Sequence, residues 1–327
     1  MTEKKFSKLT RIKELEEGGS ISDIFVIKAK SSVQPYSNNS KYYFSLILSD
    51  KSGDIEAKYW GGNNKDAVES LQESLKSTDV VHVIARVQLY HNELQLSISD
   101  SNLTKLSKEE YDANFFIEES KEDLEQLYSN LLATIEQIKD SNLKQLCLSF
   151  YQCSNFKRAF SKLPATKNHH HAYLGGLLES THNIVCQCKN ISKIHPNLSN
   201  DLLLSIALLA PIGKIETLLV STTIEYSRSG SYLGDLAQAY SLVEKRIESV
   251  CPNIAPILKL KLLNGIISQQ ARLSWGAAKK PVTAEAFVYS RIKELDANLD
   301  YFIQEQEKDD SGAEFVFSKD FGYISKQ

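Results

Sequence analysis

Between about residues 20 and 100 the apolar positions fall in short runs bounded by polar turns, the pattern of strands. Ser22–Ala29 and Tyr42–Leu48 are rich in β-formers, and the second run closes in Ser49-Asp50-Lys51-Ser52-Gly53, a polar turn ending in glycine. Asp54–Trp60 alternates apolar and charged side chains, as a half-buried hairpin partner should. Asp66–Leu75 carries a short helical pattern, and Val80–Leu89 and Leu94–Ile98 make a further hairpin across Tyr90-His91-Asn92-Glu93. Five strands with one helix between the third and fourth predict a small closed barrel of the OB-fold type.

From Lys121 onward the period changes to that of helices. Leu124, Leu127, Leu131, Ile135 and Ile138 recur at steps of three or four, as do Leu143, Leu146, Phe150, Phe156 and Phe160. Further helical runs cover Leu174–Ser192, Asp201–Ile215, Leu233–Cys251, Ile257–Ser268 and Thr283–Phe302. The predicted fold class is α+β. A barrel over residues 1–105 is followed by a linker at 106–120 and an all-α domain at 121–308. A polar tail at 309–327 is loose or only locally docked.

At 327 residues the chain is long enough for two cores. Its net charge of −3 gives no global basic field, which lowers the expectation of nucleic-acid binding without excluding a local groove. Five cysteines without a C-x-x-C pair read as reduced thiols, so a cytoplasmic protein is expected. Cys186 and Cys188 diverge by about 200° on a helix and make no metal pair with His182. No apolar run is long enough to span a membrane, and the basic stretch Met1–Arg11 lacks the apolar core of a signal peptide.

The most informative segment is P-A-T-K-N-H-H-H-A-Y-L-G-G-L-L-E-S, Pro164–Ser180. It looks like the opening helix of an HD-type metal-dependent phosphohydrolase. With Tyr43–Trp60 and Val80–Leu96 in the barrel, and Ile224–Asp235, Ser274–Pro281 and Glu294–Ala297 in the helical half, the chain resembles the bacterial YhaM-type 3′–5′ exoribonucleases. The resemblance implies an OB-fold followed by an HD domain, binding single-stranded nucleic acid.

The chain departs from that family at the metal ligands. The family's G-G-L-L-E-H ends here in Ser180, and its H-D-L-G-K reads Ala210-Pro211-Ile212-Gly213-Lys214. L-G-H becomes Leu233-Gly234-Asp235, S-H-H becomes Ser268-Gln269-Gln270, and Lys293 replaces the Asp three residues before the L-D-A phrase. Divalent ions in such sites want imidazole nitrogen and carboxylate oxygen. Ser180, Gln269 and Gln270 are weak neutral ligands, Ala210 and Pro211 offer none, and Lys293 brings a repelling charge. Only Asp235 can replace a ligand. The seven histidines end at His195, and no His-Asp doublet occurs. No metal, cofactor or catalytic residue is therefore expected. Lys293 is expected beside Asp235 or another acid such as Glu179, taking over part of the ions' structural role.

His169, His170 and His171 remain as a possible residual site with Lys214. With no carboxylate partner in view they read as packing for the start of a helix. Lys214 reads as a surface lysine at a helix end.

An OB barrel binds single strands with basic groups and aromatic faces. The candidates are Phe25, Lys28, Lys30, Tyr43, Lys58, Trp60, Arg86 and Tyr90, although any one aromatic is more often core. With 15 Lys and Arg against 16 Asp and Glu in the first 110 residues, binding is expected to be modest and salt-sensitive. The leading expectation is a catalytically inactive relative of the OB–HD exonucleases. It would bind RNA or single-stranded DNA, or serve as a subunit or regulator of a nucleic-acid-processing assembly. Two alternatives stay open. One is an active metal-dependent 3′–5′ exonuclease with a centre rebuilt on His169, His170, His171 and Asp235. The other is a scaffold for protein partners or for its own copies.

Overall fold

The computed structural model describes residues 6–36, 40–112, 115–270, 272–307 and 314–326. These form two compact units. One runs to Glu118 and includes Ser221–Thr223; the other comprises Glu119–Val220 and Ile224 onward.

The first unit is an OB-type barrel. Its strands are β1 (Ser20–Lys30), β2 (Gln34–Tyr36), β3 (Lys41–Asp50) and β4 (Gly53–Trp60), then helix α1 (Lys65–Ser74), β5 (Val80–Tyr90) and β6 (Glu93–Lys105). The sheet runs β1-β5-β6-β4-β3-β2, and a second pairing of β1 with β3 closes five of these strands into a ring. Among the described strands of this sheet, β4 and β6 are the pair that runs parallel. Alternation decides which side chains fill the barrel: Phe44, Leu46 and Leu48 of β3, Ala57 and Tyr59 of β4, and Val83, Ala85 and Val87 of β5 are buried. Strand β1 is buried on both sides. Phe25 and Ile27 join the barrel interior, while Ile24 and Val26 pack with Val80 against Leu106, Tyr111 and Phe116. Part of the expected linker thus covers the outer face of β1.

The second unit is helical, with α2 (Leu124–Glu136), α3 (Ser141–Tyr151), α4 (Ser154–Phe160), α5 (Gly176–Ile194) and α6 (Asn200–Leu209) leading to a 3-10 turn (Ala210–Gly213) and α7 (Lys214–Thr217). Strands β7 (Leu218–Val220) and β8 (Ile224–Tyr226) pair before α8 (Arg228–Val250), α9 (Pro256–Ile267) and α10 (Ala284–Glu307), and a hairpin of β9 (Phe315–Ser318) and β10 (Gly322–Ser325) follows. Helix α6 is apolar nearly all round, every residue from Leu202 to Leu209 is buried, and it is the central helix of the unit. Asp123, Asp140, Ser199 and Ser227 cap α2, α3, α6 and α8 by accepting from backbone N–H groups of the first turn. The expected helix Asp201–Ile215 breaks at Pro211, which lacks the N–H that would continue it. Helix α8 starts earlier than expected and kinks at Gly234, whose φ is 72°. In the expected tail, the Phe321 ring packs at an angle to Tyr301 and edge-on to Phe302, and the Tyr301 hydroxyl donates to Asp320.

Candidate functional site

One outward face of the barrel gathers rings around a lysine. Strand register sets Tyr43 opposite Trp60, and the next row runs Ser45, Lys58, Ser97 and Arg86 across β3, β4, β6 and β5. The serines on either side of Lys58 are small, so neighbouring rings can lean over it. Its Nζ lies 4.9 Å from the Tyr43 ring centroid, 5.3 Å from Trp60 and 5.5 Å from Tyr90. Tyr36 on β2 completes the patch, 4.9 Å from Trp60 and 5.9 Å from Tyr43, and its hydroxyl donates to the Gly61 carbonyl. A Cβ on Gly61 would meet Val68 Cγ2 at 2.5 Å, so only glycine lets α1 pack this close to the end of the Trp60 strand. Tyr36 was missed because Q-P-Y is too short for a period and contains a proline.

Of the sequence candidates, Tyr43, Lys58, Trp60 and Tyr90 therefore meet, with exposed Arg86 in the Lys58 row. Three do not join them. Phe25 is fully buried, with the Lys8 ammonium 3.5 Å above its ring, and cannot stack on a base. Lys28 pairs with Asp54. Lys30 donates to the carbonyls of Gln72 and Leu75, neutralising the C-terminal end of α1.

In the helical unit the positions singled out converge from distant parts of the chain, in two halves. In the first, His171 Nε2 contacts Asp296 Oδ2 at 3.1 Å, and Ser180 Oγ donates to the same oxygen at 2.6 Å. The His171 Nδ1 meets the Tyr173 hydroxyl at 2.9 Å, and its backbone N–H donates to Asp300. Burial pulls the His171 imidazole down, but Asp296, Asp300 and Glu179 more than offset this and hold it above its ordinary value. The expectation of histidines without a carboxylate partner thus fails for His171. Asp296 and Asp300 were legible in principle, as an acidic i, i+4 pair on one helix face. His169 is exposed and stands edge-on to Tyr301.

The second half is basic. Lys214 pairs with Asp235 at 3.4 Å. Gly213 makes that possible, because a Cβ there would collide with the Asp235 carbonyl oxygen and come within 2.6 Å of the Ala239 nitrogen. Lys214 holds the Asp235 carboxyl at about 2, against the opposing effect of burial, and Lys293 adds to it. Lys293 donates to Gln269 Oε1 at 2.7 Å, and Gln269 Nε2 donates to the Ala210 carbonyl at 3.3 Å. Lys293 thus feels the charge of Asp235, while its direct partner is a neutral amide; Glu179 accepts from Ser120 instead. His170 is pulled down to about 3 by burial first, then by Lys214, His171, Lys293 and His169, and its Nδ1 is sealed from solvent without a partner. Pro211 is buried and Gln270 half-buried.

This donor set does not fit a divalent ion. Ser180 and His171 are committed to Asp296, Gln269 accepts from an ammonium, and Ala210 and Pro211 supply no side-chain donor. Among the described residues, no group of three or more His, Cys, Asp or Glu side chains is placed to hold a metal.

A family model described as an OB-fold nucleic acid binding domain matches residues 26–104, and one described as a putative helicase matches residues 119–197. Proteins named 3′-5′ exoribonuclease YhaM are similar along almost the whole chain. That of Listeria monocytogenes serotype 4b is 26% identical over 289 residues, 88% of each chain, and that of Bacillus subtilis 26% over 286 residues, 87% of each. The chain resembles the YhaM-type exoribonucleases over most of its length. A solved OB-fold domain of replication protein A from Methanococcus maripaludis covers 30% of this chain and 94% of its own, at 19% identity and a TM-score of 0.25, too slight a likeness to say more. Among the described residues, no helix is long and apolar enough to cross a membrane.

Proposed function

We propose that this YhaM-type chain binds single-stranded nucleic acid on the Tyr36–Tyr43–Trp60–Lys58 face of its barrel, and that its helical unit is an HD-like domain without a hydrolytic metal centre. The reading of the helical unit rests on one observation: at the positions where the family resemblance expects ligands, Lys293 donates to Gln269 and Ser180 donates to Asp296. Phosphodiester cleavage at such a site needs an activated water and stabilisation of developing charge, both normally supplied by bound ions. The binding half is supported by the rings and ammonium gathered on a face of alternating small residues, a sequence-tolerant platform for bases. In this reading the protein acts in the cytoplasm, as a single-strand binder or as a regulatory subunit of a processing assembly.

The test is elemental analysis together with a degradation assay. Purified chain is expected to carry well under one Mn, Fe, Ni or Zn per molecule, and to leave 5′-labelled single-stranded RNA and DNA intact with added Mn²⁺ or Mg²⁺. The name of its relatives favours a rebuilt active centre instead. That reading takes over if a metal-dependent product ladder appears and disappears on changing His170 and His171 to alanine.

A further inference from the structure

Lys293 is an expensive residue to keep where it is. Its amine is pulled down to about 8 by burial, despite the favourable charge of Asp235, and Lys214 adds repulsion. An unfolded lysine titrates near 10.4, so at pH between about 8 and 10.4 the unfolded chain holds a proton that the folded chain has released. Folding stability therefore rises with pH in that window, and at neutral pH the charged Lys293 is a net cost. An apolar side chain of similar volume would fill the position with less penalty. A charge kept at the expense of stability is a mark of a binding site.

The surroundings have donors to spare. Each lysine carries three N–H bonds; Lys293 directs one at Gln269 and Lys214 one at Asp235. The Lys214 and Lys293 ammonium groups share the charge of the Asp235 carboxylate, and His170 keeps an unpartnered ring nitrogen beside them. The Lys214 and Asp235 side chains are 14% and 25% exposed, so the cluster reaches solvent. We propose that Lys214 and Lys293, with the unpartnered Nδ1 of His170 beside them, form a metal-free site for a phosphate group of a nucleotide chain. Two fixed ammonium groups there neutralise phosphate oxygens and hold the group without cleaving it.

This rests on reading the helical domain as metal-free, and the experiment separates the two. Thermal unfolding of the full chain in EDTA is followed with inorganic phosphate and, at matched ionic strength, with chloride. Phosphate is expected to raise Tm and chloride not to. Lys293→Met should unfold at or above the wild-type Tm without phosphate, yet bind phosphate about tenfold more weakly. Lys293→Arg, which keeps the charge, should retain the response. An oligonucleotide ending in a 3′-phosphate should displace inorganic phosphate more strongly than its 3′-hydroxyl counterpart if the site holds a terminal monoester, and equally if it holds an internal diester. Equal responses to chloride and phosphate, a response that survives in the Lys214→Met, Lys293→Met double variant, or failure of both oligonucleotides to compete would overturn the proposal. Tightly bound metal on elemental analysis sinks the metal-free reading as well; a metal-free protein indifferent to phosphate sinks this inference alone.

Discussion

Replacing Asp296 with alanine is expected to destabilise the helical unit by about 3–5 kcal/mol, the usual cost of leaving one member of a buried ion pair alone. The His171 and Asp296 side chains are only 5% and 6% exposed, and Asp296 Oδ2 serves both the His171 ring and the Ser180 hydroxyl. Removing it strands a buried imidazole and a buried hydroxyl together. Asp296→Asn, which keeps an acceptor but loses the charge, should fall between the two. The same pair gives stability a pH dependence whose sign is fixed. The folded His171 lies above its ordinary value, so its contribution is fully present below about pH 6.5, the unfolded value, and is lost as pH rises through the folded one. Helix content followed by circular dichroism during denaturation, at several pH values from about 5.5 to 8.5, should show stability falling with pH in wild type and a flatter profile in His171→Asn. Parallel profiles for the two proteins would show that His171 does not titrate against Asp296.

What the sequence made legible follows from what has a period. Strands β3 and β4 alternate because one face is buried and the other wet, so their bounds could be read to within two residues. Helix α6 shows its burial in the run L-L-L-S-I-A-L-L, Leu202 to Leu209. The pairs β7–β8 and β9–β10 have three or four residues per strand, too few for any period to emerge. The burial of Leu106, Tyr111 and Phe116 was hidden for another reason: they cover β1 individually, without an element of their own. Site geometry was harder still. His171 and Asp296 are 125 residues apart, and only the packing of α5 and α10 brings them together. Ser180 was read as a weak metal ligand, and it is a donor to the carboxylate of that pair. In the Lys293 cluster, Asp235, Gln269 and Lys293 were visible as departures from a family pattern, and Lys214 and His170 as positions that keep it. The sign of Lys293's contribution was not, because it depends on how far burial outweighs the charge of Asp235.

On the barrel, Trp60→Ala is expected to weaken binding of a short single-stranded oligonucleotide about tenfold, within the ~1–3 kcal/mol that one stacked base contributes. Trp60 is the ring to remove first because it touches both Tyr36 and Tyr43, so its loss uncouples three rings. The fold should survive, since the barrel interior is closed by Phe44, Leu46 and Tyr59 on the opposite face of the same strands. Lys58→Gln should act differently. An ammonium set among three rings presents its charge to a backbone phosphate while the rings take the flanking bases. Losing it should lower the slope of log affinity against log salt by about 0.7, the value for one phosphate contact on a single strand. Trp60→Ala should lower affinity at every salt concentration and leave that slope alone. Lys108→Gln, an exposed change elsewhere in the unit, should leave the slope near the wild-type value. The Tyr36–Tyr43–Trp60–Lys58 assignment is wrong if Trp60→Ala and Lys58→Gln bind like wild type at low and high salt, or if Lys108→Gln alone flattens the salt dependence.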